Sequence, residues 1–176
     1  YSIELTNELA LQTEKIYELA GEEFNIASPK QMGEILFEKM ELSKKPKKTK
    51  SGQFSTSEET LLKLKDGHLI IDEILNFRAI KKLLSTYVDA LPVLVNPNTK
   101  RIHTTFNQSV ASTGRLSSVN PNLQNIPIRT KKGMEVREAF ITKDQNHILM
   151  AADYSQIELR IMASLSKDEG MLQAFN

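Results

Sequence analysis

Residues 148–160 read ILMAADYSQIELR, and this stretch contains the sharpest change of pattern in the chain. The first five residues form a short apolar run, which is typical of a buried strand. After Asp153 the pattern becomes helical, because Ile157, Ile161 and Leu165 fall on one helical face. The stretch therefore predicts a strand that delivers Asp153 and is followed directly by a helix.

Asp153 is the first candidate for chemistry. A carboxylate at the end of a buried strand is held rigidly, and Mg²⁺ prefers such oxygen ligands together with substrate phosphates. An Asp between a strand and a helix is also commonly the N-cap of that helix. Ser155 and Glu158 have a similar alternative, because the pattern S-x-x-E can form a capping box. From these residues alone, both interpretations stay open.

Turns and short strands are predicted on the N-terminal side of this stretch. Residues 107–133 are polar and interrupted by prolines, and irregular stretches of this length are usually functional or disordered. Arg115 follows Gly114, which allows an unusual backbone turn, so its side chain could meet phosphate or a groove edge, or simply stay in solvent. The other predicted features are a hairpin of 93–95 with 102–106 around a turn at 96–99, and a strand at 136–141.

Helices are predicted for most of the first 90 residues. Residues 3–20 carry apolar side chains on one face and end at Gly21, and a longer helix runs from about 70 to 88. Two further helix starts are predicted by the capping pairs Ser28 with Gln31 and Thr56 with Glu59.

Charge is distributed unevenly, although the net charge of the 176-residue chain is only +1. Residues 1–42 hold nine Glu and three Lys, residues 44–50 hold five Lys, and residues 99–134 hold six Lys or Arg without one acidic residue. This pattern favours a polyanionic partner, with a solvated loop as the alternative. Residues 43–55 predict an exposed, mobile loop.

The composition is that of an ordinary globular protein, with 40% hydrophobic and 26% charged residues. No apolar run approaches the roughly 18 residues of a membrane span, so no membrane partner is expected. Cysteine is absent, which excludes disulfides and thiolate metal sites and fits a cytoplasmic location. Because the chain starts at Tyr1 rather than Met, we expect a piece of a longer protein.

Two ungapped motifs resemble bacterial family A DNA polymerases. Residues 152–160, ADYSQIELR, are similar to motif A of that family. Residues 113–118, TGRLSS, and 121–129, PNLQNIPIR, are similar to the palm segment that precedes it. The resemblance implies an α+β fold, with a helical thumb at about 1–90 whose basic tip is 43–55. It also implies the first part of a palm at about 91–176, an antiparallel-rich sheet with helices on one face.

This resemblance implies a DNA-directed DNA polymerase that adds deoxynucleotides to a primer 3′ end with two Mg²⁺ ions, in replication and repair. Asp153 should bind both ions, and the backbone carbonyl of Tyr154 should complete a metal shell. Ser155 and Gln156 should lie by the triphosphate. Glu158 should sit under the incoming sugar and exclude a 2′-hydroxyl.

Primer–template DNA and deoxynucleoside triphosphates are the implied partners. Arg115 should reach the minor groove at the primer terminus, which places it among the catalytic residues, and a helix N-terminus at Thr56 should help to hold phosphate. Minor-groove acceptors are shared by all base pairs, so such contacts check shape without reading sequence. The other predicted DNA contacts are Thr113, Asn122, Gln124, Asn125 and Arg129 in the palm and Lys44, Lys45, Lys47, Lys48, Lys50, Lys82, Ser85 and Thr86 in the thumb.

Two parts that the family needs have no counterpart in these residues: the second metal-binding carboxylate and the fingers helix that grips the triphosphate. The chain by itself is therefore predicted to be inactive and not to hold Mg²⁺ stably. The alternative is a DNA-binding module without catalysis. The resemblance further implies a bacterial, nucleoid-associated protein.

Overall fold

The computed structural model describes residues 1–175, which form two compact units divided between Arg137 and Glu138. Helices dominate, and one small antiparallel sheet completes the predicted α+β class. Within residues 1–175, no helix combines the length and the apolar character needed to cross a membrane. The helices are α1 (Ser2–Ala20), α2 (Pro29–Glu34), α3 (Glu58–Leu62), α4 (Ile70–Leu83), α5 (Ala90–Val93), α6 (Lys131–Glu138), α7 (Ile157–Ser166) and α8 (Glu169–Phe175).

Two π-helical turns extend these helices. One, Ile35–Lys39, continues α2, and the other, Leu84–Val88, continues α4. The predicted long helix from 70 to 88 is confirmed, with its last five residues in the wider π form.

The core of the first unit lies where α1 packs along α4. Ile16, Ile70 and Ile74 are fully buried there, because they fall on the apolar faces that their spacing predicts. Gly21 ends α1 in the left-handed region at φ 75°, and its N–H donates to the carbonyl of Tyr17 at 2.9 Å. The prediction for α1 and its stop is confirmed.

The start of α2 follows the prediction in part. The N–H of Gln31 donates to Ser28 Oγ at 3.4 Å, so Ser28 is the N-cap. The side chain of Gln31 accepts from the N–H of Asn25 at 2.7 Å instead of reaching back to Ser28. The predicted capping box is therefore only half formed.

The predicted start of α3 is one residue early. Ser57 is the N-cap, because Thr56 is buried and Arg78 donates to both its carbonyl, at 2.5 Å, and its Oγ1, at 3.2 Å. Glu59 forms no capping box with Thr56 and pairs with Lys63 at 2.7 Å. The Thr56 hydroxyl, which the local pattern predicts as the cap, instead accepts a hydrogen bond from Arg78, 22 residues further along the chain.

The predicted hairpin of 93–95 with 102–106 is wrong except for a single bridge between Val95 and Ile102. α5 includes Val93, the first residue of the 93–95 segment, and β1 (Thr105–Asn107) pairs instead with β2 (Ser117–Val119). The turn itself forms, because Asn96 Oδ1 accepts from the N–H groups of the second and third residues after it. The register of the sheet is Thr105 with Val119, Phe106 with Ser118 and Asn107 with Ser117.

The predicted strand at 136–141 is also wrong. Thr130 Oγ1 accepts from the N–H of Gly133 at 3.1 Å, and the resulting helix continues to Glu138. Val136 is buried on the same helical face as Gly133. The helical spacing of the buried residues Gly133 and Val136, and not the apolar residues at 136–141, determines the structure of this segment.

Residues 148–152 form no strand either. Ile148 is 88% exposed and Met150 is 85% exposed. A strand is stable only when another strand satisfies its backbone, and none of residues 138–175 pairs with this run. The prediction of a buried strand before Asp153 is therefore wrong for this chain.

Candidate nucleic-acid and nucleotide site

Asp153 lies in an exposed, non-helical segment that leads into α7. Gln156 is the N-cap of this helix in the left-handed region, at φ 53°, and its side chain makes no capping hydrogen bond. Asp153 and Ser155 are therefore not N-caps, and the capping box of Ser155 with Glu158 does not form. Glu158 lies in the exposed first turn of α7. The geometry removes the capping alternative for both carboxylates.

Arg160 joins the start of α7 to the end of α8. Its Nε donates to the carbonyl of Ser155 at 2.9 Å, and its Nη1 donates to the carbonyl of Phe175 at 3.3 Å. The guanidinium also lies over the Phe175 ring, 5.0 Å from its centre. The backbone at Ser155, two residues after Asp153, is thereby held to the first turn of α7. The sequence pattern does not indicate this role, because both hydrogen-bond acceptors are backbone atoms.

Ser118 is the centre of a loop, residues 118–125, that contains three of the six predicted palm contacts to DNA. It is 1% exposed, and its Oγ donates to Asn122 Oδ1 at 3.0 Å. The same oxygen accepts from the N–H groups of Leu123, at 3.1 Å, and Gln124, at 3.3 Å. One buried hydroxyl therefore holds the side chain of Asn122 and the backbone of the next two residues, Leu123 and Gln124.

Asn122 and Gln124 are themselves used within this loop. Asn122 Oδ1 also accepts from the N–H of Gln124 at 3.0 Å, and Gln124 Nε2 donates to the carbonyl of Leu116 at 3.2 Å. Sequence reasoning predicts both side chains as duplex contacts and misses these internal bonds. The loop is thus shaped by the same side chains that are expected to meet DNA.

Two further hydrogen bonds hold this loop from outside. The hydroxyl of Tyr87, on the π turn after α4, donates to the carbonyl of Asn125. Thr104 Oγ1 donates to the carbonyl of Pro121 at 2.7 Å. Together with Ser118, these contacts tie residues 118–125 to the helical part of the first unit and to the segment before β1.

Replacing Ser118 with Ala is expected to lower the free energy of unfolding of the chain by about 1–3 kcal/mol. The change leaves the N–H of Leu123 without its acceptor and the N–H of Gln124 with Asn122 Oδ1 alone. Denaturant unfolding measures the loss, and Ser117→Ala, at the half-buried neighbour in β2, is the matched control. Equal effects of the two substitutions would contradict the central role of Ser118.

Arg115 follows a confirmed backbone turn. Gly114 adopts φ 74°, and its N–H donates to the carbonyl of Ala111 at 3.1 Å. The side chains of Thr113, Arg115 and Arg129 are exposed on the first unit. The structure therefore leaves all three at the surface, as a DNA contact requires.

The lysine-rich segment 43–55, predicted as an exposed, mobile loop, contains one isolated bridge that pairs residues on either side of its tip. Lys48 and Phe54 form an antiparallel bridge, and the N–H of Thr49 donates to the carbonyl of Gln53 at 2.7 Å. The Phe54 ring packs on Phe37 with centroids 5.4 Å apart, which anchors the segment to the core. The side chains exposed on it include all five predicted contacts, Lys44, Lys45, Lys47, Lys48 and Lys50.

A second basic surface lies on α4 and the π turn that follows it. Lys82, Ser85 and Thr86, predicted from sequence as neighbours, line one open cavity of about 290 Å³ together with Lys81. Arg78 also lines this cavity, and burial lowers the pKa of its guanidinium. The structure therefore brings these three predicted thumb residues together.

The start of α3 is a poor phosphate site, in contrast to the expectation at Thr56. The hydroxyl of Ser57 already accepts from the N–H of Thr60 at 3.3 Å. Glu58 and Glu59 occupy the first turn, where their charges repel phosphate.

A family model for DNA polymerase family A matches residues 1–176. The chain belongs to this family. DNA polymerase I of Geobacillus stearothermophilus is 51% identical over 172 residues, which are 98% of this chain and 19% of that protein. DNA polymerase I of Synechocystis is 58% identical over 170 residues, which are 96% of this chain and 17% of that protein. The chain thus spans about a fifth of the length of these relatives, and the sequence resemblance is confirmed.

A solved structure of the same family has the same fold. It is described as the POL domain of Pol1 from M. smegmatis in complex with DNA primer-template and dNTP. The TM-score is 0.87 at 43% identity, over 99% of this chain and 30% of that one. The division into thumb and palm near residue 90 stays a prediction, since the compact units meet at residues 137 and 138.

Family A polymerases are generally metal-dependent, and the residues of this chain fit only part of a metal site. Asp153 and the carbonyl of Tyr154 offer the hard oxygen donors that Mg²⁺ prefers. Among residues 1–175, no group of three or more His, Cys, Asp or Glu side chains converges on a point that could hold an ion. The described residues therefore contain no complete set of side-chain ligands for a metal ion.

Proposed function

We propose that this chain is part of a DNA-directed DNA polymerase that adds deoxynucleotides to a primer 3′ end. The observation that carries the proposal is the family match over residues 1–176, with the motif at 152–160 unbroken. The complete protein would act in DNA replication and repair, in the bacterial cytoplasm and in association with the nucleoid. Its partners would be primer–template DNA and deoxynucleoside triphosphates.

The residues around Asp153 would provide the reactive half of the site in this chain. Asp153, with the carbonyl of Tyr154, would contribute to holding two Mg²⁺ ions, which activate the primer hydroxyl and stabilise the leaving phosphate when bound. Ser155 and Gln156 would lie along the triphosphate, and Glu158 would exclude a 2′-hydroxyl. The exposure of this whole segment supports the assignment, because a nucleotide must reach it from solvent.

The first unit would hold the duplex. Arg115 would contact the minor groove at the primer terminus, and the loop ordered by Ser118 would present Asn122, Gln124 and Asn125 to the nascent pair. Shape, not base sequence, would be checked there, because the minor groove offers similar acceptors at every pair. The remaining contacts would be Thr113 and Arg129, and on the thumb Lys44, Lys45, Lys47, Lys48, Lys50, Lys82, Ser85 and Thr86.

Primer extension separates the function of the complete protein from that of this chain. The complete protein is expected to copy a template with deoxynucleotides and Mg²⁺. The 176-residue chain is expected to add none, because residues 1–175 contain no full set of side-chain ligands for the metal ions. Failure of the complete protein would contradict the proposed activity, and extension by the chain alone would contradict its predicted inactivity.

Duplex binding by the chain is expected to weaken steeply with salt, because each neutralised phosphate releases a counterion. Replacing both Lys44 and Lys45 with Ala is expected to reduce the slope of log K against log salt by about 2. Fluorescence anisotropy with a labelled primer–template, repeated over a series of salt concentrations, measures this slope. Lys63→Ala is the matched control, because Lys63 is already neutralised by Glu59. An unchanged slope in the double variant would exclude the lysine-rich segment from the DNA interface.

A further inference from the structure

The π turn Leu84–Val88 presents two different surfaces. The N–H of Asp89 donates to the carbonyl of Leu84 at 2.9 Å, five residues back, which widens the helix at this point. Ser85 and Thr86 are exposed on it, whereas Tyr87 is only 3% exposed. π turns of this kind occur frequently at functional sites.

The buried side of this turn reaches the DNA-facing loop. The Tyr87 hydroxyl donates to the carbonyl of Asn125, a residue 38 positions further along the chain. The Asn125 side chain is itself at an exposed position. The hydrogen bond therefore fixes the backbone at the point where a predicted duplex contact leaves the surface.

We propose that Tyr87 is a positioning residue that sets the placement of Asn125 against the minor groove. This role rests on the proposed function, because it requires that Asn125 meets DNA. Tyr87 touches no reacting atom and acts only through the loop.

The position of Tyr87 also couples the two predicted DNA surfaces of the first unit. Ser85 and Thr86 precede it on the same turn, next to Lys82. Because Tyr87 is rigidly packed, a shift of this turn moves the carbonyl of Asn125 with it. The contacts that the turn and the loop make with the duplex would thus keep a fixed position relative to each other.

The test is a double-mutant cycle in the complete protein, with primer–template affinity measured by fluorescence anisotropy. Tyr87→Phe keeps the ring and removes only the hydroxyl, and it is expected to weaken duplex binding about fivefold. Asn125→Ala keeps the carbonyl and removes the side chain whose placement is at issue. In the Asn125→Ala background, Tyr87→Phe is expected to change the affinity by less than about twofold.

Two outcomes would overturn the proposal. If Tyr87→Phe weakens binding by the same factor with and without the Asn125 side chain, Tyr87 is a general structural residue. If it does not weaken binding at all, the hydrogen bond is irrelevant to DNA. Tyr17→Phe is the control for the loss of a tyrosine hydroxyl elsewhere in the first unit. Tyr17 lies in α1, and its ring packs on that of Phe24.

Amide hydrogen exchange of the free protein keeps this proposal distinct from the proposed function. Tyr87→Phe is expected to speed exchange in residues 123–126, with no DNA present, because the loop loses a tether. Unchanged exchange would overturn the positioning role even if the protein is a polymerase. Faster exchange in a protein whose wild type binds no duplex would instead show that the proposed function has failed.

Discussion

Asp153→Asn in the complete protein is expected to lower the rate of primer extension at least about a thousandfold, with duplex affinity nearly unchanged. The substitution keeps the size and one acceptor oxygen but removes the negative charge that would hold two cations. Metal stabilisation of the transition state is worth several kcal/mol, and each 1.36 kcal/mol is a factor of about ten in rate. Single-turnover primer extension measures the rate, and anisotropy measures the affinity.

The matched control for this variant is Asp144→Asn, in the same unit. Asp144 is exposed, and its Oδ1 accepts from the N–H of Asn146 at 2.9 Å and contacts His147 Nδ1 at 2.6 Å. The control is expected to leave extension unchanged. Retained synthesis in Asp153→Asn would favour the alternative, a DNA-binding module in which Asp153 has no chemical role.

Glu158→Ala is expected to let the complete protein use ribonucleotides, with discrimination against them reduced on the order of a hundredfold. The carboxylate would lie where a 2′-hydroxyl enters, and a shorter side chain leaves room for it. Steady-state kinetics with a ribonucleotide and its deoxy counterpart give the ratio of the two kcat/KM values.

Glu169→Ala provides the comparison for Glu158→Ala. Both residues are exposed in the first turn of a helix of the second unit, so both substitutions remove the same interaction with a helix N-terminus. Only Glu158→Ala is expected to change the discrimination ratio. An unchanged ratio for Glu158→Ala would remove the role of this carboxylate in sugar selection.

The motif residues Asp153 and Glu158 could be predicted from sequence, and the hydrogen bonds that order the loop of residues 118–125 could not. Asp153 and Glu158 stand in an unbroken motif, so resemblance alone identifies them. Ser118 gives no such signal, because a buried serine is recognised only by the backbone groups folded around it. Tyr87 is visible as one position of an apolar helical stripe, but its hydroxyl partner is 38 residues away.

Predictions of helices succeeded because a helix satisfies its own backbone within a few residues. The apolar period of α1 and its Gly21 stop are local properties, and the structure has both. A strand needs a second segment to satisfy its backbone hydrogen bonds, and the fold determines which segment lies beside it. The runs at 136–141 and 148–152 therefore looked like strands, although one continues a helix and the other has no partner among residues 138–175.

The sequence by itself determined the α+β class, the long helices, the basic stretches and the family. Each of these follows from short-range periodicity, charge or an ungapped motif. Only the tertiary structure decided that Thr56 is held by Arg78, that the lysine segment is anchored through Phe54, and that Ser118 orders the loop of residues 118–125. Polar side chains take whichever partner the packing brings near, and that choice depends on contacts between residues distant in the chain.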